Sequence, residues 1–281
     1  MDNMNEYTRK DISLDQLHSF KGHPFAIRYD DAMNHLLDSI RISGILEPLL
    51  VRPRANGGYE ILSGHRRVDA AHKLGLGQVP CMIRDMNDNE ATLVMTESNL
   101  TQREKLLPSE KAFAWKMRTE AARKMMLQKK GKSEDERATD IVAREMGVSP
   151  RQISRIVKLT ELNRQFLDLL DKNELGLEVG IELAHLSTME QRWIYDYIRE
   201  HKTTLSVAIA RELRRAIQKD GALEDDIDRI LSGESNVPSI RLDYDRIISF
   251  YSPSTPVDTI NDSICAILEM ERQRGEGQYI I

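Results

Sequence analysis

The segment TDIVAREMGVSPRQISRIVKL, from Thr139 to Leu159, is the most informative part of the sequence for the fold of the middle of this chain. Ala143 is a small residue at the point where two helices would cross, and Gly147 lies four positions later, where the chain must turn. Ile153 and Ile156 follow six and nine positions beyond the glycine and give the second helix an apolar face. This order of small, flexible and apolar residues predicts a helix-turn-helix.

The second predicted helix begins at Ser149 and Pro150, because serine is a favourable N-cap and proline fits the first helical turn. Arginine and glutamine near the start of such a helix suit the edges of bases, while later arginine and lysine side chains suit phosphates. The alternative is a helical hairpin that packs against something other than DNA, but the local positive charge favours DNA. The residues predicted to contact DNA are Thr139, Ser149, Arg151, Gln152, Ser154, Arg155 and Lys158.

Charge is distributed unevenly along the 281 residues, although the formal net charge is only −5. Residues 101–165 contain 16 Lys/Arg against 9 Asp/Glu, a local net charge of +7. Residues 221–281 contain 5 against 12, a local net charge of −7. A basic middle and an acidic end are expected when only the middle of a chain contacts phosphate.

The composition, with 40% apolar and 30% charged residues, is that of an ordinary globular protein of two or three domains. No run of residues approaches the ~18 consecutive apolar residues that a membrane span needs, and the N-terminus does not resemble a signal peptide. The two cysteines, Cys81 and Cys265, lack metal-ligand spacing. We therefore expect a cytoplasmic location and no membrane partner.

Residues 10–100 alternate between strand and helix patterns and predict one α+β domain. The turn Asn56-Gly57-Gly58 separates two β-prone runs and is typical of a hairpin. The expected elements are a helix over 30–42, paired strands over 48–52 and 59–62, a helix over 66–74, a strand over 79–83 and a helix over 89–99.

Residues 101–220 carry almost no strand pattern and predict an all-α domain that includes the helix-turn-helix. Residues 221–238 are acidic and contain glycine and proline, which indicates a linker. Residues 239–281 form the last segment, and one face of its amphipathic helix is expected to supply a dimer contact. Two DNA half-sites require two recognition helices related by a twofold axis. The residues of this face are Ile260, Ile264, Ile267 and Leu268.

The stretch LSGHRR at 62–67 closes a predicted strand and opens a helix. Backbone N–H groups at such a turn attract an anion, and adjacent arginines add forked donors for phosphate. The alternative is that the two arginines are solvated or paired with the carboxylates of residues 85–90. For His65 three roles stay open: it caps the helix, touches a phosphate or faces solvent. The candidate phosphate-binding residues are Ser63, Gly64, His65, Arg66 and Arg67.

Glu97 and Asn99 lie two residues apart near a predicted helix end and are candidate ligands of a hydrated Mg²⁺ ion. This ion takes few ligands from a protein when phosphates supply the others. Arg103 is a candidate for a further phosphate contact. The alternative for the whole segment is an ordinary solvated helix face, which is the commoner role of such residues.

Together these pieces resemble the ParB/RepB family of plasmid and chromosome partition proteins, in the form found in Firmicutes and their mobile elements. The resemblance covers residues 12–215 well, and several motifs follow one another in the family's order. They are HPF at 23–25, GILEPLLVRP at 44–53, SGHRR at 63–67 with Ala70-Ala71, the segment 97–103, LPSEKAFA at 107–114 and the helix-turn-helix.

The resemblance implies a ParB/sulfiredoxin-like α+β domain, then an all-α helix-turn-helix domain and a small C-terminal helical segment. It also implies a homodimeric DNA clamp that recognises a palindromic site, closes on binding CTP with Mg²⁺, and reopens on slow CTP hydrolysis. A ParA-type ATPase would be its partner on a nucleoid or plasmid. By position, Gly64, Arg66 and Arg67 would hold the triphosphate, Asn99 the metal and Arg103 a phosphate.

Two departures from the family pattern concern this nucleotide site. His65 stands where the family has glutamate, and Ser98 where it has an acidic residue. Glu97 lies one position earlier, and a helix turns ~100° per residue, so its carboxylate is displaced around the helix. CTP binding therefore follows from the resemblance more directly than hydrolysis, and enzymatic activity stays open. The alternative is a site-specific transcription regulator without nucleotide dependence.

Overall fold

The computed structural model describes residues 7–102, 106–128, 137–220 and 224–233, together with short pieces between 250 and 270. Contacts divide the chain into two units, residues 1–233 and 234–281. In the second unit, the described residues are helical at 259–260, 262–264, 266–267 and 270. Of the apolar face predicted there, Ile260 is buried, Ile267 is exposed, and Leu268 lies outside the described residues.

A five-stranded mixed sheet is formed by β1 (Thr8–Ser13), β2 (Leu17–Ser19), β3 (Leu49–Pro53), β4 (Tyr59–Ser63) and β5 (Gln78–Ile83). The strand order is β1-β5-β3-β4-β2. Strands β3 and β4 pair antiparallel, which confirms the predicted hairpin, and β5 runs parallel to β3. Strands β1 and β2 were not among the predicted strands. In β1 only Ile12 is buried, so the strand lacks the alternating apolar pattern that reveals a strand in a sequence.

Three helices belong to the same domain: α1 (Asp31–Ser43), α2 (His65–Lys73) and α3 (Asp88–Gln102). All three agree with the predicted helices, although α3 extends beyond position 99. Asp30 caps α1, since its carboxylate accepts a hydrogen bond from the backbone N–H of Met33 at 2.9 Å. Gly44 ends α1 with a φ of 68°, in the left-handed region that favours glycine.

The described chain from residue 108 to 233 contains helices and no strand. They are α4 (Pro108–Gln128), α5 (Ala138–Met146), α6 (Pro150–Lys158), α7 (Arg164–Asp171), α8 (Leu177–Leu183), α9 (Thr188–His201), α10 (Val207–Arg215) and α11 (Glu224–Ser232). One apolar core joins helices from α4 to α11. The fold is therefore an α+β domain followed by an all-α region, as predicted. Within the described residues, no helix has the length and apolar character of a membrane span.

Helix α11 occupies residues 224–232 of the predicted linker over residues 221–238, of which 221–223 and 234–238 lie outside the described residues. Ile227 is fully buried and Leu231 nearly so, and both belong to the apolar core of the helical region. The prediction rested on acidic composition with glycine and proline. It overlooked Ile227, Ile230 and Leu231, whose spacing of three and four residues puts them on one helical face.

Glu110 of α4 is a buried carboxylate that ties the helical region to the N-terminal domain. Its side chain is only 2% exposed. It accepts hydrogen bonds from the backbone N–H groups of Ala26 at 3.0 Å and Leu107 at 3.1 Å. It also forms an ion pair with Arg28 at 2.5 Å. One side chain thus holds the segment before α1 against the first turn of α4.

Arg118 of α4 is the second buried charge at this junction. It donates to the backbone carbonyl of Leu93 at 3.1 Å and to the hydroxyl of Thr96 at 3.2 Å, both in α3. Its other amino group pairs with Glu145 of α5 at 2.6 Å. Helices α3 and α5 are therefore connected through a single side chain.

Candidate functional site

A cavity of about 410 Å³ lies beside the turn between β4 and α2. Its lining comes from α1, the segment after α1, the start of α2 and one residue of α3. Five predicted phosphate-binding residues and one predicted metal ligand meet here: Ser63, Gly64, His65, Arg66, Arg67 and Asn99. The structure therefore brings these separately predicted residues to one cavity.

Gly64 is required at this turn for two reasons. Its φ of 103° lies in the left-handed region, which other residues rarely adopt. A Cβ atom at this position would also lie 2.9 Å from the Cγ atom of Leu49, too close for an ordinary contact. The glycine lets the backbone turn directly into α2, whose first N–H groups form an anion-attracting helix N-terminus at the cavity.

The two arginines at the start of α2 have different surroundings. Arg66 pairs with the carboxylate of Asp30 at 2.8 Å. Arg67 donates to the backbone carbonyls of Glu47 and Pro48, and lies 3.3 Å from the Glu47 carboxylate. Burial lowers the pKa of Arg67, although the charge of Glu47 opposes this. The alternative interpretation, in which these arginines pair with carboxylates of residues 85–90, is therefore wrong, because their partners are Asp30 and Glu47.

Arg66 is the more available of the two for a ligand. Its side chain is 33% exposed, against 13% for Arg67. The backbone N–H of Met33 and the charge of Arg66 both lower the pKa of Asp30, so this carboxylate is ionised at neutral pH. An ionised partner holds Arg66 at the cavity, whereas Arg67 mainly fixes the neighbouring loop over residues 47–48.

His65 packs against His23 at the edge of the cavity. Their ring centroids are 3.8 Å apart, with the ring planes tilted by 43°. His23 Nδ1 lies 3.0 Å from the backbone carbonyl oxygen of Phe25, which orients the His23 ring. Sequence analysis singles out His65 but not His23, because a lone histidine gives no signal until the fold brings a partner to it.

The predicted metal ligands do not lie together. Asn99 lines the cavity and its amide NH₂ donates to the Met95 carbonyl at 2.8 Å. Glu97 is exposed and does not line the cavity, since two helical positions separate side chains by ~200°. Arg103 lies outside the described residues. In the part of the chain that is described, no three His, Cys, Asp or Glu residues form a metal cluster.

The fit to Mg²⁺ is accordingly limited to Asn99. An amide oxygen suits a hard cation that keeps waters and nucleotide phosphates as its other ligands. The fit to a nucleotide triphosphate is better, because a helix N-terminus and a partly exposed arginine line the same cavity.

Helices α5 and α6 form the second candidate site. Between them Gly147 has a φ of 65°, and the Ser149 hydroxyl caps α6 by accepting from the Gln152 N–H at 3.2 Å. Ile153 and Ile156 are buried, which leaves the opposite face of α6 to solvent. Three of the predicted DNA-contacting side chains on this helix are exposed: Arg151, Gln152 and Ser154.

The remaining predicted DNA contacts are partly engaged within the protein. Arg155 pairs with Glu178 of α8 and is still 42% exposed. The Ser154 hydroxyl donates to the Pro150 carbonyl at 3.1 Å, within its own helix. Thr139 and Lys158 are half-buried. The exposed N-terminal half of α6 is therefore the part best placed to meet another molecule.

The model of the ParB N-terminal domain matches residues 2–100, so this chain belongs to the class of proteins that carry this domain. The chromosome-partitioning protein Spo0J of Thermus thermophilus is 32% identical over 67% of this chain and 63% of its own length. The nucleoid occlusion protein of Bacillus cytotoxicus is 30% identical over 67% of this chain and 68% of its own length. This chain belongs to the ParB family of partition proteins.

The chain spans about three-fifths of the Thermus protein, 63% of its length. Among solved structures, the C-terminally truncated ParB from Caulobacter crescentus complexed to the centromeric parS site is similar with a TM-score of 0.41 and 24% identity. The same protein complexed with CTP-gamma-S has a TM-score of 0.32 and 23% identity. Both matches cover 73% of this chain and 98% of the other. Family membership follows from the sequence matches alone.

Proposed function

We propose that this chain is a partition protein that binds a specific DNA site through α6 and binds CTP in the cavity beside α2. The observation that carries the DNA part is the capped helix α6, with Ile153 and Ile156 buried and Arg151 and Gln152 exposed at its start. Arginine and glutamine are side chains that read base edges in the major groove. The local net charge of +7 over residues 101–165 supports contact with phosphate.

The nucleotide part is supported by the residues of the cavity. The N–H groups at the start of α2 would receive phosphate oxygens, Arg66 would pair with the triphosphate, and the Asn99 amide oxygen would face its metal ion. The triphosphate of bound CTP would supply negative charge beside the N–H groups of α2 and the guanidinium group of Arg66. The Caulobacter relative solved with CTP-gamma-S supports the choice of CTP. Hydrolysis is not part of the proposal, because the described residues offer no carboxylate at the cavity besides Glu47.

A homodimer and a palindromic DNA site belong to the same proposal, since a twofold axis pairs two recognition helices with two half-sites. A partner ATPase would fit the partition role. The nucleoid occlusion relative, which the chain covers to 68% of its length, supports a second candidate. The genomic positions that the chain occupies in cells separate the two roles.

The DNA part is tested by selecting duplexes from a random-sequence pool with the full chain. We expect enrichment of one palindrome, because a dimer with two copies of α6 reads the same half-site twice. A pool that stays random after several rounds, with only salt-sensitive retention, would overturn site-specific binding.

The nucleotide part is tested by calorimetric titration with CTP, ATP, GTP and UTP in the presence of Mg²⁺. We expect CTP alone to bind, and Arg66→Ala to weaken its affinity by about tenfold or more, because a hydrogen bond to a charged group contributes ~1.5–3 kcal/mol. Arg41→Ala is the matched control, since Arg41 is an exposed arginine of α1 that does not line the cavity. Absence of CTP binding, with and without the selected DNA, would leave a transcription regulator without nucleotide dependence.

A further inference from the structure

Helix α10 carries three arginines on one side. Arg211, Arg214 and Arg215 are separated by three and four residues, a spacing that places them on the same helical face. Ala210 and Leu213 on the other side are fully buried. The arginine face, together with Glu182 and Gln218, lines a depression of about 350 Å³. None of these residues belongs to the helix-turn-helix.

A carboxylate holds two of the three guanidinium groups in place. Glu182 of α8 accepts from Arg211 Nε at 3.1 Å through one oxygen and from Arg214 Nη1 at 2.8 Å through the other. Its side chain is only 14% exposed, whereas that of Arg211 is 62% exposed. Arg215 is exposed and forms no ion pair with any residue that the structure describes. Three arginines against one carboxylate leave this face positive.

Helix α8 connects the arginine face with α6. Helix α8 packs against both α6 and α10, and Arg155 of α6 pairs with Glu178 of α8. Burial lowers the pKa of His185, and the charges of Arg214 and Lys158 lower it further, while Glu182 opposes them. Glu178, the partner of Arg155, and Glu182, the partner of Arg211 and Arg214, lie four positions apart on α8, and residues at that spacing share one helical face. Helix α8 therefore connects the basic groups of α6 with those of α10.

The separation of these groups suits the width of a DNA groove. The seven helical steps from Arg151 to Lys158 span ~10 Å. The major groove is ~12 Å wide, so a protein that places the start of α6 on the bases brings the far end of the helix near a sugar-phosphate strand. The α10 arginines are connected to α6 through α8.

From this arrangement we infer that Arg211, Arg214 and Arg215 of α10, with Lys158, form a second DNA-contact surface that binds the phosphate backbone flanking the groove occupied by α6. The inference rests on the proposed function, since it needs α6 to bind duplex DNA. The surface contributes affinity and orientation without reading sequence, because phosphates are the same at every base pair.

The test compares DNA affinity over a series of salt concentrations for the wild-type chain and for Arg211→Gln/Arg215→Gln. This variant keeps Arg214, so Glu182 retains a partner and the fold is preserved. Each lost phosphate contact lowers the slope of log K against log salt by ~0.9, so we expect a decrease of about 2 for each bound subunit. Affinity for the selected palindrome and for a scrambled duplex should fall together, and their ratio should stay unchanged.

The matched control is Arg192→Gln/Arg199→Gln, which removes the same charge from two exposed positions of α9. It should keep the wild-type slope. Equal slopes for both variants and the wild type would overturn the α10 surface while leaving DNA binding by α6 intact. A wild-type chain that binds no duplex at any salt concentration would instead overturn the proposed function, and the α10 surface with it. A changed palindrome-to-scrambled ratio would show that α10 reads bases, contrary to the inference.

Discussion

Replacing Glu110 with alanine should lower the free energy of unfolding by about 2–4 kcal/mol, because partly buried donors that lose their acceptor cost ~1–3 kcal/mol each. Its buried carboxylate accepts from the N–H groups of Ala26 and Leu107 and pairs with Arg28. The alanine variant leaves two backbone donors and a guanidinium without their acceptor. Urea denaturation followed by circular dichroism measures the change.

Two further variants test whether the destabilisation comes from the loss of the buried carboxylate. Glu110→Gln keeps one carbonyl oxygen as an acceptor but loses the charge. Its free energy of unfolding should therefore lie between those of the wild type and Glu110→Ala. Glu120→Ala removes an exposed carboxylate from the same helix and should change stability by less than about 0.5 kcal/mol. Equal stability of Glu110→Ala and Glu120→Ala would mean that the buried network does not hold the two regions together.

The double variant Arg151→Ala/Gln152→Ala should lose the preference for the selected palindrome over a scrambled duplex. A bidentate contact with a base contributes ~1–3 kcal/mol of discrimination, so two lost contacts reduce the preference by about 30-fold or more. Both side chains are exposed, so the stability of the fold should change little. Competition binding at fixed salt concentration measures the preference directly.

The chain provides an unusually close control for this variant. The first turn of helix α7 also contains arginine and glutamine, Arg164 and Gln165, and both are exposed. Arg164→Ala/Gln165→Ala makes the same chemical change in the first turn of a helix outside the helix-turn-helix. It should retain the full preference. If the two double variants behave alike, α6 is not the recognition helix.

The local elements follow directly from sequence patterns. Asp30 and Gly44 mark the two ends of α1, and Asn56-Gly57-Gly58 lies between the paired strands β3 and β4. Ser149 caps α6 as its position predicts. Caps, turns and helical faces depend on residues within a few positions of one another, so a single sequence contains the information.

Elements that need distant partners were harder to predict. Strand β1 has one buried residue and is placed by pairing with β5, some seventy positions away. Helix α11 lies in an acidic stretch whose composition suggests a linker, but Ile227 and Leu231 are buried in the helical core. The composition of a segment averages over all of its residues, whereas the burial of two or three apolar side chains is enough to hold a short helix on the core.

Local residue patterns were enough to predict the family, the order of an α+β domain and an all-α region, and the residue types of both candidate sites. Which of those residues meet depends on packing between elements that are far apart in the chain. This packing brought Asn99 to the cavity and left Glu97 outside it, placed His23 against His65, and paired Arg66 with Asp30. It also connected the α10 arginines to α6 through α8. The reason is physical: a motif is local, but the distances between charges from separate elements are set by how the apolar faces of those elements pack.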